Sequence, residues 1–273
     1  MKTQPNEATV QYSIEQFRGG HRLGPTTDDV AVEAPLEIRV DGHDSTILMR
    51  TPGHDEELIL GFLFNESVIR SASDVLSIER PAEQPNAFKG QSIEIRLTPA
   101  RSPQGLNRSF LSSSSCGSCG KSSIDSLAIA APPVVSQLSI NSDLIMRLPD
   151  QLKAAQSTFH QTGGVHASGL FTPEGDLIAI REDVGRHNAL DKLIGWALGD
   201  DRLPLNQCIL MLSGRISYEL VQKAVMASIP IVAAVGAPSS MAIDIADRYG
   251  ITLTGFVRPD SLNAYTHATR IRR

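Results

Sequence analysis

Cysteine is scarce in this chain: three in 273 residues, at positions 116, 119 and 208. So small and odd a number excludes a disulfide framework and leaves at least one free thiol, the usage of a reducing compartment. A positive charge excess is also missing. Against 30 acidic residues stand 25 basic ones, giving a formal net charge of −5, which argues against generic nucleic-acid affinity. Long apolar runs are absent too. The most apolar stretches, Cys208–Leu212 and Ile229–Val235, are far too short to span a bilayer, and Met1–Gln11 is polar, without a signal-peptide core. The expectation is a cytoplasmic protein with neither nucleic acid nor membrane as partner. Lysine is the scarce cation: six of the 25 basic residues, leaving 19 arginines, the side chain suited to forked contacts with carboxylate or phosphate. No internal repeat is visible.

What is present is an ordinary globular composition, 41% hydrophobic and 20% charged, enough for one or two domains with a core that needs no staples. The first third reads as strands. Leu36–Val40 and Ser92–Leu97 alternate apolar and polar, Asp41-Gly42 supplies a turn, and Thr46–Met49 follows. Asp55-Glu-Glu then opens an apolar helix with its acids at the favoured end. From Pro99 to Ser115 the pattern breaks into a Ser-rich loop. Beyond Asp143 strands and helices alternate. Strands are expected at His166–Phe171, Leu177–Ile180, Cys208–Leu212, Ile231–Val235 and Ile251–Phe256, and helices at Asn188–Leu198, Tyr218–Ala227 and Met241–Tyr249. The Thr172–Gly175 turn suggests an antiparallel hairpin, and the later alternation implies crossover helices on a mixed or parallel sheet. The expected architecture is α/β: a small β-rich N-terminal domain (1–111), a cysteine loop with a following helix (112–142), and a three-layer α/β/α domain (143–273).

Cys116-Gly-Ser-Cys119-Gly-Lys121 is the strongest chemical signal. A C-x-x-C serves as half a zinc site, a dithiol redox centre or a nucleophilic thiolate with a neighbour. A structural zinc needs four ligands. Cys208, in an apolar strand, reads as a core residue, and the two histidines at comparable spacing, His160 and His166 with five residues between them, do not complete a convincing ligand set, so no metal of the protein's own is expected. A thioredoxin-like centre would follow a buried strand, whereas Ser112–Ser115 precedes this motif. A helix starting near Ser122, together with Lys121, would favour thiolate over thiol. Nucleophilic sulfur on a loop suits the carrying of an atom between partners. Ser115–Ser122 also mimics a phosphate-binding P-loop, but without its first glycine and leading strand.

Four polar clusters fall at element ends in the second half: Thr162–His166, Arg181–Asn188, Ser213–Ser217 and Gly236–Ser240. The last three each follow a strand and precede a helix, so they meet at the strand C-terminal edge where α/β ligands bind. Ser217 and Ser239 serve equally well as helix N-caps. Arg186 and Arg215 can fork onto phosphates, and the clusters together point to an anionic, nucleotide-like ligand. A zinc deaminase is disfavoured, because His166-Ala-Ser168 lacks the acid of H-x-E and the cysteine pair precedes the histidine.

Over nearly its full length the chain resembles the formate dehydrogenase accessory sulfurtransferase family (FdhD/NarQ). The matching blocks are Val32-Glu-Ala-Pro-Leu36, Met49-Arg-Thr-Pro52, Glu57-Leu58, Gly61-Phe-Leu63, Ser115–Gly120, Thr162–His166, Glu182-Asp-Val-Gly-Arg-His-Asn-Ala-Leu-Asp-Lys192, Ser213-Gly-Arg215 and Gly255-Phe-Val-Arg258. The resemblance implies a cytidine-deaminase-like, dimeric core. It implies a sulfur carrier that receives persulfide sulfur from a cysteine desulfurase and passes it to molybdenum bis(molybdopterin guanine dinucleotide), the cofactor destined for formate dehydrogenase. Carried over by position, Cys116 is the persulfide carrier and Cys119 its assisting or resolving partner. The cofactor-contacting segment corresponds to Phe256, Val257, Arg258, Pro259, Asp260 and Ser261, where this chain has Pro259 and Asp260 in place of the family's frequent Gly and second basic residue. A thiol–disulfide oxidoreductase and a non-catalytic cofactor-binding chaperone are the alternatives.

Overall fold

The computed structural model describes residues 8–42, 46–81, 91–99, 129 and 131–273. The cysteine loop and the helix expected after it lie outside the described residues. In chain order the strands are β1 (Thr9–Arg18), β2 (His21–Ala31), β3 (Ala34–Val40), β4 (Thr46–Arg50), β5 (Val75–Glu79) and β6 (Gln91–Leu97), with helix α1 (Asp55–Asn65) after β4. There follow β7 (Ile140–Asn141), α2 (Ser142–Ala155), α3 (Ser157–Thr162), β8 (His166–Phe171), β9 (Leu177–Asp183) and α4 (Arg186–Gly199). The chain closes with β10 (Ile209–Leu212), α5 (Tyr218–Met226), β11 (Ile231–Ala234), α6 (Ser240–Arg248), β12 (Thr252–Arg258), β13 (Ser261–Thr266) and β14 (Ile271–Arg272).

The main sheet has the order β13-β12-β11-β10-β8-β9. Strands β10, β11 and β12 run parallel, and β8 runs antiparallel to β10 and β9. Every residue of β10 and β11 is buried, as expected of strands covered on both faces. Their side chains alternate between two cores. Leu210, Leu212, Val232 and Ala234 pack with residues of α4, α5 and α6, whereas Ile209, Met211, Ile231 and Ala233 pack with Ile145, Leu148 and Leu152 of α2. The second half is therefore the expected three-layer α/β/α arrangement. Cys208 precedes β10 rather than belonging to it; it is half-buried, and burial pushes its thiol pKa up.

The N-terminal strands form a four-stranded sheet, β4-β3-β6-β5. Its inward residues Leu36, Ile38, Ile93 and Ile95 meet Leu58, Ile59 and Leu63 of α1, and α1 in turn lies on α4. One hydrophobic core thus runs from the small sheet to the large one. The α1–α4 crossing depends on two glycines. A Cβ at Gly61 would overlap the carbonyl oxygen of Asp191, and one at Gly195 would overlap that of Glu57. Arg181 of β9 adds an ion pair to Glu57, with Nη2 donating to Oε1 at 2.7 Å. Burial alone would raise the Glu57 pKa, but the hydrogen bonds and charges of Arg181 and His54 outweigh it and bring the pKa to about 2.

The sequence reading missed β1, β2, β5, β7, α2, α3, β13 and β14. The β1–β2 hairpin, turning at Gly19-Gly20, is exposed along most of its length and so carries no one-sided apolar pattern. Helix α2 contains Pro149, normally a breaker, yet its apolar stripe at Ile145, Leu148 and Leu152 docks on the sheet and holds it helical. Strand β13 buries only Thr266 and so has no buried apolar face to read.

The glycine crossing makes a direct prediction. Gly61→Ala and Gly195→Ala should each cost about 1–3 kcal/mol through overpacking, despite the roughly 1 kcal/mol that Gly→Ala usually gains inside a helix. Urea midpoints measure this; a midpoint that rises in both variants would show that the helices separate freely.

Candidate functional site

The strand directions bring the chemistry to one edge. There lie the ends of β9, β10, β11 and β12 and the starts of β8 and β13. The loops after β10 and β11 close on each other through backbone bonds: Gly236 N–H donates to Gly214 O (3.1 Å) and Ile216 N–H to Ala237 O (3.0 Å).

A cavity of about 570 Å³ opens at this edge, on the face covered by α2 and α3. Its wall includes Lys153, Gln156 and Phe159 from the two helices, His166 from β8, and Val257 and Arg258 from β12. Of the segment Phe256–Ser261, the residues lining it are Val257, Arg258 and Pro259. Arg258 is held in place by Nη1, which donates to the carbonyls of Val235 (2.9 Å) and Val257 (2.8 Å). The other three residues belong to the irregular tip of the β12–β13 hairpin. Phe256 has φ 52 and is exposed where the register slips between Gly255 and Arg258, and Asp260 Oδ1 accepts from Ser261 Oγ (3.1 Å). A non-glycine residue at such a φ is uncommon and marks a backbone held by its surroundings.

Arg186 and Arg215 are not among the described residues of that wall. They act instead on His166, which both groups share. Burial lowers the His166 pKa, and the charges of Arg186, His187 and Arg215 push it further down against the opposing effect of Asp183. The imidazole is therefore predominantly neutral at pH 7. Its ring lies against Gly214, where a Cβ would stand 3.2 Å from Nδ1. Arg215 is exposed. Arg186 has its Nε buried without a hydrogen-bond partner among the described residues. His187 Nε2 and Ser217 Oγ are hydrogen-bonded at 3.0 Å. Ser217 and Ser239 both sit at helix N-cap positions, and Ser239 Oγ accepts from Ala242 N–H; the capping role read from sequence is thus realised at Ser239.

The block Glu182–Lys192 divides into bracing residues and residues that face the edge. Asp183, fully buried, pairs with Lys192 (2.7 Å) and accepts from Thr51 N–H, Gly185 N–H and Asn188 Nδ2. Asp191 pairs with Lys223 (2.6 Å) and accepts from Asn65 Nδ2 (2.7 Å). The Glu182 carboxylate receives the first N–H groups of α3, from Thr158 and Phe159, both at 2.9 Å. Arg186 and His187 remain for the edge. Cys116 and Cys119 lie outside the described residues.

With this geometry in view, the model of the FdhD/NarQ family matches residues 31–272. The chain belongs to the FdhD/NarQ family. A family relative, the sulfur carrier protein FdhD of Mycobacterium tuberculosis, is 46% identical over 253 residues, covering 89% of this chain and 92% of that protein. Another of that name, from Sulfolobus acidocaldarius, is 44% identical over 258 residues, 94% of this chain and 96% of its own. A crystal structure described as that of a candidate formate dehydrogenase accessory protein from Desulfotalea psychrophila superposes with a TM-score of 0.71 at 25% identity, covering 97% of this chain and all of that one.

In this FdhD/NarQ chain the sequence reading found His166 within a polar cluster but assigned it no role, and it missed Lys153, Gln156 and Phe159. The Asn141 cap, whose side chain accepts from Asp143 N–H, and the stripe at 145, 148 and 152 were the available signals for α2, which carries Lys153 and leads into Gln156. The electrostatics is testable by NMR. The His166 imidazole should titrate below the ordinary histidine range, and Arg186→Ala should move it upward; an unchanged titration would show that this cation does not face the ring.

Proposed function

We propose that this protein is a sulfur carrier. It takes persulfide sulfur from a cysteine desulfurase onto Cys116 and passes it to molybdenum bis(molybdopterin guanine dinucleotide), the substrate it holds on behalf of formate dehydrogenase. It acts as a cytoplasmic homodimer. The observation that carries the reading is the meeting, at one sheet edge, of a nucleotide-sized cavity and a cationic cluster around a neutral histidine. Family membership and the Cys116-Gly-Ser-Cys119 motif support the sulfur chemistry.

The residues at this edge fit a ligand carrying phosphates. Arg186 has a buried nitrogen donor without a partner among the described residues. Arg258 is fixed at the cavity wall, and Arg215 is exposed beside Gly214. Guanidinium forks bind phosphate oxygens with charge-assisted hydrogen bonds. A neutral His166 offers a hydrogen bond without adding charge. The sulfur side follows thiol exchange. The Cys116 thiolate attacks the outer sulfur of the donor persulfide, the donor thiolate leaves, and Cys116 carries the persulfide. Attack of Cys119 on Cys116 Sγ then forms a disulfide and releases the outer sulfur at the level of sulfide, and a dithiol reductant restores both thiols.

Intact-mass measurement after incubation with a cysteine desulfurase and cysteine tests the carrier role. The wild type should gain the mass of one sulfur atom, and Cys116→Ala should not. Reduction of test disulfides with no retained sulfur would instead identify a thiol–disulfide oxidoreductase. Arg258→Ala and Arg186→Ala should each weaken GDP binding by roughly tenfold or more, the scale of a lost charge-assisted hydrogen bond; unchanged affinity in both would remove the phosphate assignment.

A further inference from the structure

The cavity under α2 and α3 borders one side chain whose chemistry the fold leaves unused. Gln156 joins the two helices, and its backbone is satisfied: the N–H donates to Lys153 O (3.2 Å) and the carbonyl accepts from His160 N–H (3.1 Å). Its side chain is different. The residue is 4% exposed, lines the cavity, and has its Nε2 shielded from solvent with no hydrogen-bond partner among the described residues. Unpaired buried amides are rare because their desolvation is not repaid. Among the described residues nothing in the packing calls for an amide here. Position 156 follows Ile145, Leu148 and Leu152, all buried against the sheet, so an apolar residue would continue the stripe.

The remaining wall indicates what the amide serves. Phe159 offers an aromatic surface, Asp150 is the one carboxylate among the described lining residues, and Lys153 and Arg258 are its cations. The volume, about 570 Å³, lies within the range of small-molecule sites. A flat heterocycle whose ring carbonyl is followed by a ring N–H and an amino group offers one acceptor and then two donors along one edge. An amide donor and a carboxylate complement that edge, and the cations suit a phosphate attached to it. Adenine presents an amino donor where that carbonyl would be. The terminal torsion of a glutamine is soft and roughly two-fold, so the amide turns readily towards the cavity.

We infer that Gln156 is the specificity residue of this site, its Nε2 donating to the ring carbonyl of the amino-oxo-pyrimidine edge that guanine and pterin share. The inference rests on the proposed binding of a guanine-dinucleotide cofactor and names the residue that reads its ring. An amide donor that the fold leaves unsatisfied is a stability cost tied to ligand recognition.

Calorimetric titration of the full chain with GDP, ADP and free pterin tests it, using the wild type, Gln156→Leu and Gln156→Glu. The expected result has three parts. Gln156→Leu loses roughly tenfold in affinity for GDP, for pterin or for both, whichever ring the cavity seats, and leaves ADP unaffected. The same variant unfolds at a higher temperature than the wild type without ligand. Gln156→Glu shifts preference towards ADP, because a carboxylate repels the ring carbonyl and accepts from the adenine amino group. If Gln156→Leu folds and keeps the wild-type affinities for GDP, pterin and ADP, the inference is overturned while the cofactor reading stands. If the wild type binds neither GDP nor pterin, the cofactor reading falls and takes the inference with it.

Discussion

The buried pair of Asp183 and Lys192 is the constraint on which the functional edge depends. Both side chains are withdrawn from water, at 0% and 1% exposure, where an ion pair survives only if its remaining hydrogen-bonding capacity is filled. Here it is filled from three elements. Thr51, after β4, gives its N–H to Asp183 and its carbonyl to Lys192, Gly185 gives its N–H, and Asn188 bridges Asp183 to the carbonyl of Met49. The end of β9, the start of α4 and the N-terminal sheet are thereby tied at one point. Small displacements are resisted because each would strand a charge in the interior.

That anchoring decides what the edge can do. The start of α4 is fixed, so Arg186 and His187 are fixed with it. Next to Asp183, Glu182 takes the opening N–H groups of α3 and holds the wall that carries Phe159. One strand end thus organises both the cationic cluster and the cavity, and His166 is common to the two. Its neutrality follows from its surroundings: a half-buried ring beside three cationic or ionisable neighbours resists a further proton.

The same view separates two meanings of the Glu182–Lys192 block. As a string it looks like a binding motif, rich in acids, cations and an amide. In the fold most of it is internal bracing, with Asp183, Asp191 and Lys192 buried against Thr51, Asn65 and Lys223. Polar residues clustered within one helix period can face opposite ways, and only tertiary neighbours decide which of them meets a ligand. Arg186 and Arg215, read as phosphate ligands, do act on one shared group, but they stand apart from the cavity wall where Arg258 lies.

Alternation and turn chemistry in the sequence were enough to determine the strands β3, β4 and β6, the β8–β9 hairpin, helices α1 and α4 to α6, and the gathering of the post-strand loops at one edge, because each of these is a local pattern with one buried face. Family membership was legible for the same reason, in contiguous blocks. Helix α2 was not, since Pro149 argues locally for a break and only docking of Ile145, Leu148 and Leu152 on the sheet overrides it. The α1–α4 contact was not, since Gly61 and Gly195 lie 134 positions apart and become meaningful only when two backbones touch. Nor was Gln156, an ordinary polar residue in the sequence. Whether an amide is satisfied is a property of its neighbours in space, and the tertiary structure alone supplies them.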